Sequence, residues 1–198
     1  MRSYIQMQIA CAKELLENMA SDTVLQENLH RAAMTCVDCL HGGGKLLLAG
    51  NGGSAADAQH IAGELVSRFM FDRPGLPAVA LTTDTSILTA IGNDYGYEDL
   101  FARQIQALGR RGDVLIAYST SGKSANILRA LETAQGKEMV TIGYTGNCGG
   151  PMRNLCDILL EIPSSGTPKI QEGHLVLGHI LCGLIENAIF GDGDNEWK

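Results

Sequence analysis

The sequence is poor in three features that mark large classes of protein. Only 5% of its 198 residues are aromatic, and no apolar run approaches the roughly 18 residues of a membrane span. Basic residues are outnumbered, with 15 Lys and Arg against 22 Asp and Glu, so no nucleic-acid surface is expected. Residues 1–6 are too polar for a secretory signal. We therefore expect a cytoplasmic protein that contacts neither membrane nor nucleic acid.

Glycine, in contrast, is abundant. The chain has 24 glycines, where an average usage of roughly 7% predicts about 14. Several are clustered between apolar runs, at 42–44, 50–53 and 149–150, as is typical of tight turns where the backbone closely approaches another group. With 45% hydrophobic residues, the length fits one globular domain over residues 1–198.

The six cysteines are expected to be reduced thiols, since no secretory signal accompanies them. Cys36 and Cys39 form one C-x-x-C pair, a spacing also found in redox and metal sites. The pair lies inside an apolar helical pattern and has no second pair beside it. Packing of two small buried side chains is therefore the favoured interpretation.

The spacing of apolar residues divides the chain into two parts. Residues 1–41 predict two helices broken near Ser21 and Asp22, which are good N-cap residues. Residues 42–198 alternate short apolar runs with helical stretches, which predicts a three-layer α/β sandwich around a five-stranded parallel sheet. The predicted strands are 45–49, 78–81, 114–118, 139–143 and 158–162. The predicted helices are 55–70, 85–108 with a break around 92–96, 124–135, a short piece at 151–155 and 169–190.

Ligands in such a fold bind beyond the carboxyl ends of the strands, so the loop after the first strand is a candidate site. Residues 50–57 combine three glycines with Ser54 at a predicted helix start, where backbone N–H groups can hold an anion or sugar hydroxyls. Neither G-x-G-x-x-G nor the G-K-[ST] of a P-loop is completed. An ordinary tight turn stays open as an alternative.

The loop after the third strand is rich in hydroxyl groups. Residues 119–124 hold four hydroxyl side chains and a glycine at a predicted helix start: Ser119, Thr120, Ser121, Gly122 and Ser124. Hydroxyls and exposed backbone donors together form a neutral cradle that suits a phosphate. A plain N-cap turn needs only one Ser or Thr, so we favour the cradle.

Two helices carry further candidates. His60 and Glu64 are four residues apart and share one helix face, where they can hold a divalent metal, act as an acid/base pair, or simply form a solvated face. The last helix adds Gln171, His174 and His179, which suit either a metal or acid site or an interior structural histidine. The residues alone leave these alternatives open.

Taken in order, these motifs resemble the SIS (phosphosugar isomerase) domain, and more narrowly the sedoheptulose 7-phosphate isomerases of bacterial heptose synthesis. The segments that carry the resemblance are 51–60 with Glu64, 93–94, 119–124, and 169–172 with His179, and they span nearly the whole chain. The resemblance implies a flavodoxin-like strand order, with the helices of residues 1–41 used in oligomer packing. It also implies a homotetramer with active sites at subunit interfaces.

The resemblance implies an aldose–ketose isomerisation that converts sedoheptulose 7-phosphate to D-glycero-D-manno-heptose 7-phosphate through an enediol, for lipopolysaccharide core or capsule heptose. In such an enzyme Glu64 is the base and His179 the acid/base partner at the oxygens. The residues implied to hold the sugar are Asn51, Gly52, Gly53, Ser54, Asn93, Asp94 and Gln171, with Glu64 also touching it, and those for the phosphate are Ser119, Thr120, Ser121 and Ser124.

The family also implies one zinc ion per subunit, on His60, Glu64, Gln171 and His179. Glu64 cannot easily be both a tight ligand and a free base, so we expect its coordination to be loose. Gln171 and His179 are eight residues apart, about 12 Å of rise in a continuous helix. Either Gln171 lies at or before the helix start, or the site collects residues from more than one subunit. His174 is an alternative ligand.

Other SIS proteins offer competing interpretations. The main alternative is a non-catalytic tetramer that binds the replication initiator DnaA, which would not need His60, Glu64 and His179 together. A sugar-sensing regulator needs a DNA-binding arm, for which the chain has neither length nor charge. Isomerases of arabinose 5-phosphate or glucosamine 6-phosphate usually bring additional domains or other acid/base residues. Lys123 replaces the usual Asn of the phosphate loop, and we expect it to point to water.

Overall fold

The computed structural model describes residues 2–191. Met1 and residues 192–198, which the single-domain prediction includes, lie outside the described residues. The chain begins with two helices, α1 (Arg2–Ser21) and α2 (Thr23–His41). They separate at Asp22, whose carboxylate accepts the N–H of Leu25 at 3.0 Å and so caps α2. The predicted break is therefore confirmed.

Five parallel strands follow in the order β2-β1-β3-β4-β5. Their bounds are β1 Leu46–Ala49, β2 Ala78–Ala80, β3 Val114–Tyr118, β4 Val140–Gly146 and β5 Ile158–Ile162. Every residue of β1 and β3 is buried, as continuous apolar runs in a parallel sheet predict. β4 continues three residues beyond its predicted end because Thr145 and Gly146 still pair with β5. The predicted sheet and its flavodoxin-like order are confirmed.

Helices cover both faces of the sheet. The remaining helices are α3 Gly53–Val66, α4 Thr85–Asp94, α5 Ala102–Leu108, α6 Ala125–Gly136 and α7 Thr167–Phe190, with short 3-10 helices at Tyr97–Asp99 and Gly150–Asn154. α2, α3 and α7 pack with Leu46, Leu48 and Ile116 on one face. α4, α5 and α6 pack with Leu47 and Leu115 on the other. Alternate strand residues thus supply two cores, which gives the predicted three layers.

One predicted helix needed correction. The helix predicted at 55–70 ends at Val66, and the chain turns through Ser67 into an irregular loop. This change matters for the site, because it moves residues 67–70 from a helix to a loop. The break predicted around 92–96 is confirmed: α4 ends at Asp94, and Gly96 follows with a φ of +92°, in the left-handed region that favours glycine.

The long helix α7 corrects one sequence expectation. By length and composition it is the one helix within residues 2–191 that could cross a membrane. The sequence shows no uninterrupted apolar run of that length because Lys169, Glu172 and Glu186 interrupt the apolar residues of this helix. Buried core helices satisfy the same criterion, and half of the apolar window is buried where α7 packs against α2 and α3. The position of α7 is that of a core helix.

Burial also explains the C-x-x-C pair. Cys36 and Cys39 are buried on α2, and Cys182 is buried on α7. Burial raises the pKa of the Cys39 thiol to about 11 and that of Cys182 to about 12, and it raises the pKa of Cys36 as well. Protonated thiols are poor nucleophiles and metal ligands, so the packing interpretation fits the structure.

Candidate active site

Helices α3 and α7 lie side by side and bring three predicted residues together. The Nε2 atoms of His60 and His179 are 2.8 Å apart, and Nε2 of His60 is 3.7 Å from Oε1 of Glu64. The side chains of His60 and Glu64 are 43% and 25% exposed. Two imidazoles and a carboxylate therefore meet at an accessible surface, although His179 is 119 residues from His60 in the sequence.

An open cleft of about 430 Å³ adjoins these side chains. Besides His60 and Glu64, its lining includes Arg68 and Phe69 from the loop after α3. The Phe69 ring lies 5.7 Å from the His179 ring, centroid to centroid. The sequence analysis missed both loop residues because it placed them in a helix, and no motif marked them. Arg68 gives the cleft an exposed cation next to the catalytic candidates.

The glycine loop after β1 lies against α7. Gly52 has a φ of +57° and precedes α3 without a side-chain cap, and the N–H groups of Ser54 and Ala55 bond to the carbonyls of Asn51 and Gly52 at 3.0 Å. A Cβ at Gly53 would overlap the side-chain amide of Gln171. α7 begins at Thr167, so Gln171 lies within the helix, and the suggestion that it precedes the helix start is wrong. Its amide is beside the predicted sugar loop.

Asn51 is held by two residues that the sequence analysis did not identify. Its amide exchanges two hydrogen bonds of 2.8 Å with the amide of Asn126, and its Oδ1 also accepts from the Tyr97 hydroxyl at 2.9 Å. With Oδ1 engaged twice, Asn51 keeps one N–H of its Nδ2 for an oxygen of a ligand. Asn126 is buried in the first turn of α6, and no motif in the sequence marked it as the partner of Asn51.

The hydroxyl loop after β3 favours the cradle over a plain N-cap. Ser124 precedes α6, but its hydroxyl does not cap the helix; it lies 3.0 Å from the hydroxyl of Ser119. The Ser121 hydroxyl accepts from Lys123 N–H at 3.2 Å. Gly122 has a φ of +64°, and a Cβ there would collide with the Gly149 carbonyl. The first turn of α6 therefore has no side-chain cap and directly follows the loop that carries these hydroxyls.

Three other residues predicted to bind the sugar make none of the side-chain contacts described above. Asn93 and Asp94 are at the exposed C-terminal end of α4, where Nδ2 of Asn93 donates to Oδ1 of Asp94 at 2.7 Å. Ser54 is buried beneath Gly50 in the first turn of α3. The roles predicted for these residues in sugar binding stay predictions.

His174 is an interior histidine, and the suggestion that it is a back-up metal ligand is wrong. Its ring is buried between Tyr118 and Tyr144, and its Nε2 lies 3.4 Å from the Thr145 carbonyl. Burial lowers its pKa to about 4, although the hydrogen bond with Thr145 opposes the shift. It is neutral at physiological pH and faces the sheet rather than the cleft.

The donor types at the cleft suit zinc, whereas their arrangement is incomplete. Imidazole nitrogens and a carboxylate oxygen are its usual ligands, and His60, His179 and Glu64 supply them. Within residues 2–191, however, no group of three His, Cys, Asp or Glu side chains is arranged to hold a metal ion. Gln171, the predicted fourth ligand, lies against Gly53. Zinc stays a prediction.

Comparison with known proteins gives a consistent result. The SIS domain model matches residues 9–146. The chain is 67% identical over 189 residues to the phosphoheptose isomerase of Burkholderia pseudomallei strain 1710b, and 56% identical over 190 residues to that of Aneurinibacillus thermoaerophilus; each match covers 96% of both chains.

Solved structures agree with the sequence matches. The phosphoheptose isomerase of Neisseria gonorrhoeae superposes with a TM-score of 0.88 at 43% identity, covering 94% of this chain and 98% of that one. The enzyme from Francisella tularensis gives a TM-score of 0.90 at 40% identity, covering 93% and 97%. The chain therefore belongs to the SIS domain family, and within it to the phosphoheptose isomerases.

Proposed function

We propose that this protein converts sedoheptulose 7-phosphate to D-glycero-D-manno-heptose 7-phosphate through an enediol. Membership of the phosphoheptose isomerases makes it an aldose–ketose isomerase of a heptose phosphate. The observation that carries the finer proposal is the contact of His60 with both Glu64 and His179. The product would serve heptose synthesis for lipopolysaccharide or capsule in the cytoplasm.

Glu64 is suited to move the proton between carbons. Its carboxylate is accessible and lies near one imidazole, and within residues 2–191 no Lys or Arg pairs with it. In the proposed reaction it removes a proton from C1 of the ketose while His179 delivers a proton to O2, which gives the enediol. The proton then returns from Glu64 to C2 while the deprotonated His179 takes the O1 proton, which gives the aldose and restores both groups.

The two loops would position the substrate. Asn51 and Gln171 present amide groups at the sugar loop, and the uncapped first turn of α6 with Ser119 and Ser124 would hold the phosphate. These donors are neutral, which is consistent with a chain of net charge −7 that acts on an anionic substrate. Arg68 is the cation that the structure adds to the cleft.

Zinc remains part of the proposal. His60, Glu64 and His179 would hold it, one ion per subunit, and when bound it would polarise the carbonyl oxygen as a Lewis acid. Metal analysis of the purified protein tests this directly. We expect about one zinc per chain in the wild type and much less in His60→Ala, whereas Cys36→Ala, at a buried thiol, should retain it.

A homotetramer is proposed from the apolar surface of α1. Only Leu15 and Met19 of this helix are buried, whereas Tyr4, Ile5 and Ile9 are exposed. Such an uncovered apolar helix suits contact with another copy of the chain. Light scattering should give about four times the mass of one chain, and Ile5→Asp with Ile9→Asp should lower it.

Isomerisation itself is tested by incubating the purified protein with sedoheptulose 7-phosphate, with and without a chelator, and following aldose formation. We expect turnover, lost in Glu64→Gln. The comparisons do not favour the non-catalytic, DnaA-binding alternative. Absence of turnover with every metal tried would contradict the proposal and favour the non-catalytic alternative.

A further inference from the structure

A buried ion pair joins the loop after α3 to helix α7. Nε of Arg73 lies 2.9 Å from Oε1 of Glu186, and both side chains are 1% exposed. Neither residue faces the cleft, and the isomerisation proposed above uses neither. Removing two charges from water is expensive, and apolar replacements of buried ion pairs are often as stable, so stability alone is weak grounds for such a pair.

Glu186 fixes the backbone of the cleft loop. Besides Arg73, its carboxylate accepts the N–H of Phe69 at 2.9 Å and the N–H of Met70 at 2.7 Å. Burial opposes ionisation of Glu186, but these hydrogen bonds and the Arg73 charge together hold its pKa below the ordinary value. The carboxylate is thus charged and fully engaged near neutral pH.

Arg73 fixes the end of α3. Its Nη2 donates to the Glu64 carbonyl at 2.9 Å, and its Nη1 donates to the carbonyls of Leu65 at 2.6 Å and Pro74 at 3.0 Å. The carbonyls of the last helical turn lack partners within the helix and favour a cation. The guanidinium therefore holds the backbone of the proposed catalytic base itself.

The pair connects the structural elements that carry the two proposed proton-transfer groups. Glu64 is at the end of α3, His179 is on α7 two turns before Glu186, and the loop between them places Phe69 against the His179 ring. We propose that Arg73 and Glu186 are positioning residues for the isomerisation: they set the relative position of Glu64 and His179. This inference rests on the proposed function.

The test compares Glu186→Gln with a matched control just before β3, away from α3 and α7. Asp113 is also a buried carboxylate, with a side chain 3% exposed, and it accepts two backbone N–H groups and one Lys45 ammonium. We expect Asp113→Asn and Glu186→Gln each to lower the Tm by about 10 °C. Only Glu186→Gln should lower kcat, by about 10- to 100-fold, with KM changed less than about threefold.

Conservative replacement and a readout independent of turnover complete the test. Arg73→Lys keeps the charge but loses the forked donors, so its kcat should lie between those of wild type and Glu186→Gln. The imidazole NMR signals of His179 should shift in Glu186→Gln and stay unchanged in Asp113→Asn. Equal kcat in the two variants, or an unchanged His179 signal, would overturn the positioning role. If the wild type itself shows no turnover, the proposed function fails, and the NMR comparison still decides this inference.

Discussion

Two carboxylates of the same framework are partnered differently. At the amino end of the sheet, just before β3, Asp113 is buried and its carboxylate is occupied by Lys45 and by the N–H of Arg110. In the last turn of α3, Glu64 is partly exposed and lies near a single imidazole. The difference indicates that polar groups with their partners inside the chain maintain the fold, whereas those with unused capacity are available for a ligand.

The largest expected effect tests the unused carboxylate. Glu64→Gln removes the proposed base while keeping the size of the side chain, so we expect turnover to fall by about 10²- to 10⁴-fold. The Tm should change little, because few contacts inside the chain depend on this carboxylate. The measurement is steady-state turnover of sedoheptulose 7-phosphate together with thermal unfolding.

Glu138→Gln is the control for this change at the amino end. Glu138 is exposed, and among the residues that the structure describes its one ion pair is with Arg111; such surface pairs contribute little to stability. Its variant should match the wild type in both measurements. Substantial turnover by Glu64→Gln would remove Glu64 as the base and with it the contrast between Glu64 and the fully partnered Asp113.

Two glycines with positive φ lie at the two ends of β3. Gly112, before β3, has a φ of +85° and open space around its Cβ position; Gly122, after β3, has a φ of +64° and the Gly149 carbonyl in the way. Gly112→Ala should cost only the left-handed backbone, about 1–2 kcal/mol of unfolding free energy. Gly122→Ala should cost more, and it should also raise KM about tenfold because the hydroxyl loop must shift.

Kinetics and denaturant unfolding of the two variants decide this point. An unchanged KM in Gly122→Ala, despite the lower stability, would show that the backbone of residues 119–124 does not set phosphate binding. A raised KM in Gly112→Ala would show that backbone changes at the amino end also reach the site, so that the two ends are not separate.

The framework was predictable because its signals are local. Apolar runs buried on both faces, such as Leu46–Ala49 and Val114–Tyr118, mark strands of a parallel sheet without any knowledge of their partners. The motifs after β1 and β3 could be recognised for the same reason, since glycines and hydroxyls at a helix start indicate a binding loop from neighbouring residues alone.

The supporting contacts of the site were not predictable in this way. Asn126 orients Asn51 across 75 residues, and Glu186 reaches Phe69 across 117. Nothing near any of these residues marks its partner, because the contacts exist only once α6 and α7 are packed on the sheet. The end of α3 at Val66 belongs with them, since the Arg73 guanidinium binds its last carbonyls from outside the helix.

The interior histidine of α7 contributes to stability in a pH-dependent manner. Burial holds the pKa of His174 at about 4, below the ordinary 6.5, so the unfolded chain binds a proton that the folded chain excludes. Its contribution is complete above pH 6.5 and is lost as the pH falls through 4. A shift of this size corresponds to roughly 3 kcal/mol.

Denaturant unfolding at fixed protein concentration, at pH 7 and pH 4, measures this loss. His174→Leu removes the titrating group, so its unfolding free energy should fall by roughly 3 kcal/mol less than that of the wild type over this range. Equal losses in the two proteins would mean that His174 titrates normally. The ring would then not be buried between Tyr118 and Tyr144, and this part of the carboxyl end would also be open to a ligand.

The smallest expected effect concerns the charge beside the phosphate loop. Lys123 is exposed, and its backbone N–H rather than its ammonium contacts Ser121. If neutral donors hold the phosphate, Lys123→Met should change KM by less than about twofold, since an exposed charge is screened by solvent and salt. Ser124→Ala removes one of those donors and should raise KM about tenfold, the loss of roughly one hydrogen bond to a charged group. A larger effect from Lys123 than from Ser124 would mean that charge, rather than the uncapped helix start and its hydroxyls, makes the carboxyl end a phosphate site.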